Sequence, residues 1–285
     1  MRRALRWAGY VGGGLIALIA VAAAYVWAAS NQKLDERIQA KPERLVPMRQ
    51  ASLEHGQHLI LTRGCAECHA TSLQGARFLD DPKIATIYAT NLTRVARTAS
   101  DQQLARAIRQ GIGREGRPLL VMPSESYSAL TDAEVSALIK AIRVMPAGGS
   151  PTPPPRVGPL GRIGIVNGKL KTAPALVAEY RQAPLPDLGA RFAGGRHIAV
   201  TVCTGCHGST LSGKEPAPGT IAPDLTVAGA YDLPAFTRLM RTGLPPSGRE
   251  LKMMTGVSRK AFRHFTDEEI AALHAYLVER AQRAP

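Results

Sequence analysis

The chain has 285 residues, 45% hydrophobic and 20% charged, a balance that excludes a disordered or collagen-like polymer. Aromatic residues make up only 5%, and both tryptophans, Trp7 and Trp27, lie in the first thirty residues, so the remainder has either a small core or one filled by something other than side chains. The formal charge is +14, and four cysteines are too few for a disulfide scaffold at this length, so their spacing decides their meaning.

The chain opens with Arg2, Arg3 and Arg6, and no charged residue then occurs from Trp7 to Ala29. A helix of about 20 apolar residues spans a bilayer core. Trp7 and Trp27 are 20 residues apart, or about 30 Å along a helix, which places one indole at each membrane–water interface. The leading arginines keep the amino terminus in the cytoplasm, so the chain after residue 30 is expected outside the cytoplasmic membrane. The competing reading is a cleaved secretory signal, with Val26-Trp27-Ala28 as a passable site. Such signals have a shorter apolar region of roughly 7–15 residues. Length favours a retained single-pass anchor over residues 1–30, followed by a juxtamembrane segment, 31–49. Either reading exports the rest, and no nucleic-acid partner is expected.

Next come Cys65-Ala66-Glu67-Cys68-His69 and Cys203-Thr204-Gly205-Cys206-His207. Both are C-x-x-C-H, the attachment pattern of c-type haem. Cysteines at i and i+3 of a helical turn present two sulfurs to one side, where they can join the two vinyl groups of one porphyrin. The adjacent histidine can reach the iron with a ring nitrogen. A redox C-x-x-C pair needs no histidine and expects a βαβ setting. Zinc knuckles usually sit some 15–20 residues apart, whereas 138 residues separate Cys65 from Cys203. A disulfide across three residues would constrain almost nothing. The pair of motifs therefore predicts two covalent c-type haems, held at Cys65, Cys68, Cys203 and Cys206, with His69 and His207 as axial ligands.

The repeat extends well beyond the motifs. Gly56-Gln57-His58 matches Gly195-Arg196-His197, and Leu73 and Gly75 match Leu211 and Gly213. Arg109-Gln110-Gly111 matches Arg241-Thr242-Gly243, and Gly116-Arg117 matches Gly248-Arg249. Thr131 and Thr266 are each followed three residues later by Glu, Glu134 and Glu269, and predict capping boxes at the start of a terminal helix. In those helices Val135, Leu138 and Ile142 match Ile270, Leu273 and Leu277, the three- and four-residue spacing of a buried face. The copies cover 50–147 and 188–285. Between them, the Pro/Gly-rich segment 148–187 predicts a semi-rigid spacer, though Leu160 to Leu170 is more apolar than a free linker needs.

The second axial position decides function. Gly116 and Gly248 are each followed six residues later by methionine, Met122 and Met254. Their equivalence favours both as ligands over core packing, the usual role of methionine. Met145 and Met240 fit packing better. Met253 adjoins Met254, and the register of the repeat favours Met254. His58 and His197 are also equivalent, and are placed at the haem edge or on the surface. Arg109 and Arg241 suit either haem propionates or a surface helix face.

On these residues each half resembles a class I cytochrome c domain, with C-x-x-C-H near the start, a late methionine loop and an amphipathic terminal helix. The whole resembles the membrane-anchored dihaem cytochromes c of bacteria. It is also similar to the cytochrome subunits of membrane-bound alcohol and related dehydrogenases, which usually carry three haem motifs. The resemblance implies an all-α fold: two tandem class I cytochrome c domains behind an N-terminal transmembrane helix, the first and last helices of each domain crossing beside the haem. Its departure is the residue after Met254, which is not the proline of the common Met-Pro pair. Iron held between imidazole and thioether changes oxidation state with no site open to substrate. The expected function is relay of single electrons between respiratory-chain partners, with no catalytic residue. The alternatives are an electron-transfer subunit of a dehydrogenase, or a dihaem peroxidase if the second iron lacks its thioether. The basic excess, largest in the second half, suits acidic redox partners or anionic lipid.

Overall fold

The computed structural model describes residues 2–217 and 219–283; Met1, Pro218, Ala284 and Pro285, within the expected anchor and second domain, lie outside them. The apolar run forms one helix, α1 (Arg2–Leu34), with a mean hydropathy of 2.0 over its most apolar stretch. Among the described residues it is the one helix long and apolar enough to cross a membrane. Its large side chains, Trp7, Ile16, Ile19 and Trp27 among them, are exposed. The following segment has no regular structure, and the first domain holds it through hydrogen bonds. The Ile38 N–H donates to the Gly116 carbonyl at 3.0 Å, and the Val46 N–H to Ser136 Oγ at 3.0 Å.

The first domain runs through α2 (Leu53–Thr62), α3 (Cys65–His69), β1 (Ala76–Asp81), β2 (Ala85–Ala89), α4 (Leu92–Thr98), α5 (Asp101–Gln110), α6 (Ser124–Tyr127) and α7 (Asp132–Val144). Helices α2 and α7 pack closely because Gly56 has no side chain; a Cβ there would lie 2.0 Å from the Ala137 carbonyl oxygen. The expected capping box closes the start of α7, Thr131 and Glu134 exchanging bonds with each other's backbone N–H. Leu59, Val135, Leu138 and Ile139 are almost fully buried between these helices.

The linker forms β3 (Arg156–Val157), α8 (Pro159–Val166) and α9 (Ala173–Gln182). It is not a spacer. Strand β3 adds to β2, so that β1, β2 and β3 form an antiparallel sheet. Helix α8 packs on the end of α1, and α9 packs on α5 and α6. Buried Ile165, Ala173 and Val177 account for this: prolines start each helix, and an apolar stripe then finds a partner surface.

The second domain repeats the first: α10 (Ala193–Ile198), a π-turn at Ala199–Cys203, α11 (Thr204–His207), β4 (Lys214–Ala217), β5 (Thr220–Ala222), α12 (Leu233–Thr242), α13 (Met253–Lys260) and α14 (Asp267–Gln282). Gly195 plays the part of Gly56, its absent Cβ falling 2.0 Å from the Ala272 carbonyl oxygen. Leu73 and Leu211, at matching positions, are both fully buried with positive φ (56° and 62°), so each copy spends strain at the same turn. The copies also differ in length just before the motif. His58 stands seven residues before Cys65, and His197 six before Cys203. The first domain absorbs the extra residue by breaking the helix at Arg63 and left-handed Gly64, whereas the second winds straight through its π-turn.

The fold is predominantly helical, as expected, but each domain carries a hairpin after its haem motif that an all-α reading omits. These strands are three to six residues long and barely alternate, so periodicity does not mark them.

Candidate functional site: two cysteine–histidine turns and the junction between them

In the first domain α3 is one helical turn, entered through left-handed Gly64 and left through Ala70 at φ 63°. It faces a cavity of about 400 Å³, within the usual range of ~300–1,000 Å³ for cofactor sites. Cys65, Cys68 and His69 line it, and so do Leu104, Leu138 and Met122. The two residues after Met122 fix its place. Pro123 opens α6, the Ser124 N–H donates to the Met122 carbonyl at 2.8 Å, and Ser124 Oγ donates to the Ala107 carbonyl at 3.0 Å.

Both motif histidines make the same contact. His69 Nδ1 lies 2.7 Å from the Thr90 carbonyl oxygen, and His207 Nδ1 lies 2.8 Å from that of Pro223. A carbonyl only accepts, so the ring proton sits on Nδ1 and the Nε2 lone pair is free to bind a metal. Burial lowers both pKa values, and the carbonyl bonds offset this in part. Sequence reasoning missed Thr90 and Pro223, because a backbone carbonyl leaves no residue signature.

The four cysteines carry free thiols. Burial pushes Cys65 and Cys203 up to about 12, and raises Cys68 and Cys206 as well. Among the described residues, no group of three or more His, Cys, Asp or Glu side chains is placed to hold a metal ion.

Met254 does not sit in a loop, as its counterpart does. It lies in the first turn of α13, which begins after Lys252 in a strained positive-φ conformation (48°) and is tied down by Thr255 Oγ1 donating to the Gly243 carbonyl at 2.8 Å. Met254 is half-buried against the second core, whereas Met253 is 41% exposed. Met240 is buried in that core and Met145 packs on the first.

The remaining candidates fall elsewhere. Arg109 bonds Asp132 at 2.8 Å and Arg241 bonds Asp267 at 2.7 Å, so each ties an earlier helix of its domain, α5 or α12, to the start of the terminal helix. His58 and His197 are neither haem-edge nor free surface residues. His58 Nε2 meets the Glu269 carboxylate at 2.9 Å, and His197 Nε2 meets Glu134 at 2.8 Å. Equivalent residues thus exchange partners between the domains, the mark of an isologous contact. The capping-box glutamates that start α7 and α14 serve both roles. Arg63, where the helix breaks, is buried at the same junction, 3.9 Å from Glu134 and 5.6 Å from the Phe265 ring. Ser126 Oγ and Thr204 Oγ1, the latter inside the second motif, are 2.9 Å apart.

Two thiols, an imidazole with a free Nε2 and a thioether around one apolar cavity fit a porphyrin attached through both sulfurs, and define a haem-binding electron carrier. The family comparison agrees. The cytochrome c family matches residues 53–145 and 192–281, and the chain belongs to it. No curated protein matches the chain.

Proposed function

We propose that the chain is a dihaem cytochrome c, with domains at 50–147 and 188–285, that relays single electrons between respiratory partners at the periplasmic face of the inner membrane. The observation that carries this reading is the first domain's cavity, which gathers Cys65, Cys68, His69 and Met122. Cys65 and Cys68 would hold one haem and Cys203 and Cys206 the other. His69 with Met122, and His207 with Met254, would be the axial pairs. Held so, a haem supplies one-electron exchange at a raised potential, with no position open to substrate. The Thr90 and Pro223 carbonyls orient the imidazoles and keep Nε2 unprotonated. The half-burial of Met254 supports it over exposed Met253.

Retention of α1 is supported by its far end. Arg162 lies 3.6 Å over the Trp27 ring and donates to Ser30 Oγ at 2.7 Å, so cleavage after Ala28 would remove part of a formed contact. The test is spectroscopy of the oxidised, detergent-solubilised chain. Two sulfur-to-iron charge-transfer bands support the relay. A high-spin second haem instead supports a peroxidase, and co-purification with a dehydrogenase supports the subunit reading.

A further inference from the structure

We infer that the chain has a second membrane contact, a foot made by the amino end of α8 and the β1–β2 turn, which rests in the headgroup–acyl boundary of the bilayer that α1 crosses. The inference rests on the reading of α1 as a retained membrane helix.

The position of the foot is fixed by contacts. Arg162 of α8 stacks on Trp27, the expected interfacial indole, and bonds Ser30 and Asn31 of α1. One turn later the Ile165 carbonyl accepts from Lys33 Nζ at 3.0 Å. The contacts advance along both helices in the same sense. The amino end of α8 therefore points back towards the apolar part of α1, with Pro159 and Leu160 on the membrane side of Arg162. The β1–β2 turn is locked to that end: the Gly158 N–H donates to the Ile84 carbonyl, and the Leu160 N–H to the Lys83 carbonyl, both at 2.9 Å. Gly161 is needed for the fit, since a Cβ there would lie 2.1 Å from the Ile84 oxygen.

The solvent-facing side of this unit carries an apolar patch, with Lys83 and Arg156 exposed at its edge. Leu160 is 55% exposed and Ile163, one turn on, 46%; Ile84 in the turn is 37% exposed, beside exposed Lys83. Exposed branched side chains with a lysine at their edge, continuous with a spanning helix at its interfacial tryptophan, match the make-up of an interfacial element. A bilayer boundary is the occupant that this continuity selects. The foot and α1 together would fix the first domain's orientation to the membrane, rather than leave it swinging on one helix.

The test uses the full holoprotein in phosphatidylcholine–phosphatidylglycerol vesicles containing a phospholipid with a diazirine near the top of its acyl chain. After irradiation, lipid adducts are mapped by mass spectrometry of tryptic peptides. Adducts are expected on α1 and on peptides 157–162 and 163–169, which hold Leu160 and Ile163. A Leu160→Glu/Ile163→Glu variant with an unchanged haem spectrum should lose the α8 adducts by about fivefold or more and keep those on α1. Adducts on α1 with none on 157–169 in the unaltered protein would overturn the foot alone. Their absence from α1 would overturn the anchor and the foot together. The unaltered protein decides the matter even if the variant fails to fold.

Discussion

Replacing Glu134 by Gln probes the junction between the domains at its most buried carboxylate. Burial pushes the Glu134 pKa up, but hydrogen bonds from His197 and from the Thr131 backbone and hydroxyl, with the charge of His197, hold it down from 4.5 to about 2. That difference corresponds to about 3 kcal/mol, at ~1.36 kcal/mol per pKa unit. The folded pKa is depressed, so the stabilisation is fully present above the unfolded value of 4.5 and is lost as pH falls towards about 2. The variant keeps the side chain's shape but removes the charge facing His197 and buried Arg63. At pH 7 it should unfold more easily by up to about 3 kcal/mol. The two proteins should converge as pH approaches 2. Guanidinium unfolding of the detergent-solubilised holoprotein, followed by far-ultraviolet circular dichroism at pH 7, 4 and 2.5, gives both curves. Acid effects on the haem ligands are common to both and cancel in the difference. A gap of the same size at every pH would refute the reasoning, because the loss would then come from packing and not from charge.

Other changes test other parts of the fold. Gly56→Ala and Gly195→Ala each drive a methyl group into a backbone oxygen 2.0 Å away and should each cost about 1–3 kcal/mol, seen as a lower melting temperature; an unchanged melting temperature would show that the helices can part freely. Met122→Ala and Met254→Ala should each abolish one sulfur-to-iron band and lower one midpoint potential, while Met253→Ala should leave both bands in place. Arg162→Ala removes the stack on Trp27, worth about 0.5–2 kcal/mol, and should speed proteolysis of the linker without altering either haem spectrum.

The duplication, both haem motifs, the capping boxes and the core faces of the terminal helices are legible in the sequence because each is local or repeats at fixed spacing. The junction is not. His58, His197, Glu134 and Glu269 all stand out as repeated residues, but sequence spacing relates members of one copy and not how two copies meet. Arg63 belongs to none of the matched positions, lying in the stretch before the motif where the copies differ by one residue. The linker misleads for another reason. The prolines at 151–155 read as stiffness and stay irregular, but Pro159 and Pro174 start α8 and α9, whose buried faces hold only a residue or two each and are too short for periodicity to register. The histidine-orienting contacts rest on backbone carbonyls, which any sequence could supply.

The central claim, a porphyrin sewn to each cysteine pair, is tested most directly by intact-mass analysis of the purified mature chain together with thiol alkylation under denaturing conditions. The predicted result is a mass above that of the polypeptide by two haems, with Cys65, Cys68, Cys203 and Cys206 all refractory to alkylation. Four alkylated cysteines on a chain of bare polypeptide mass would contradict it.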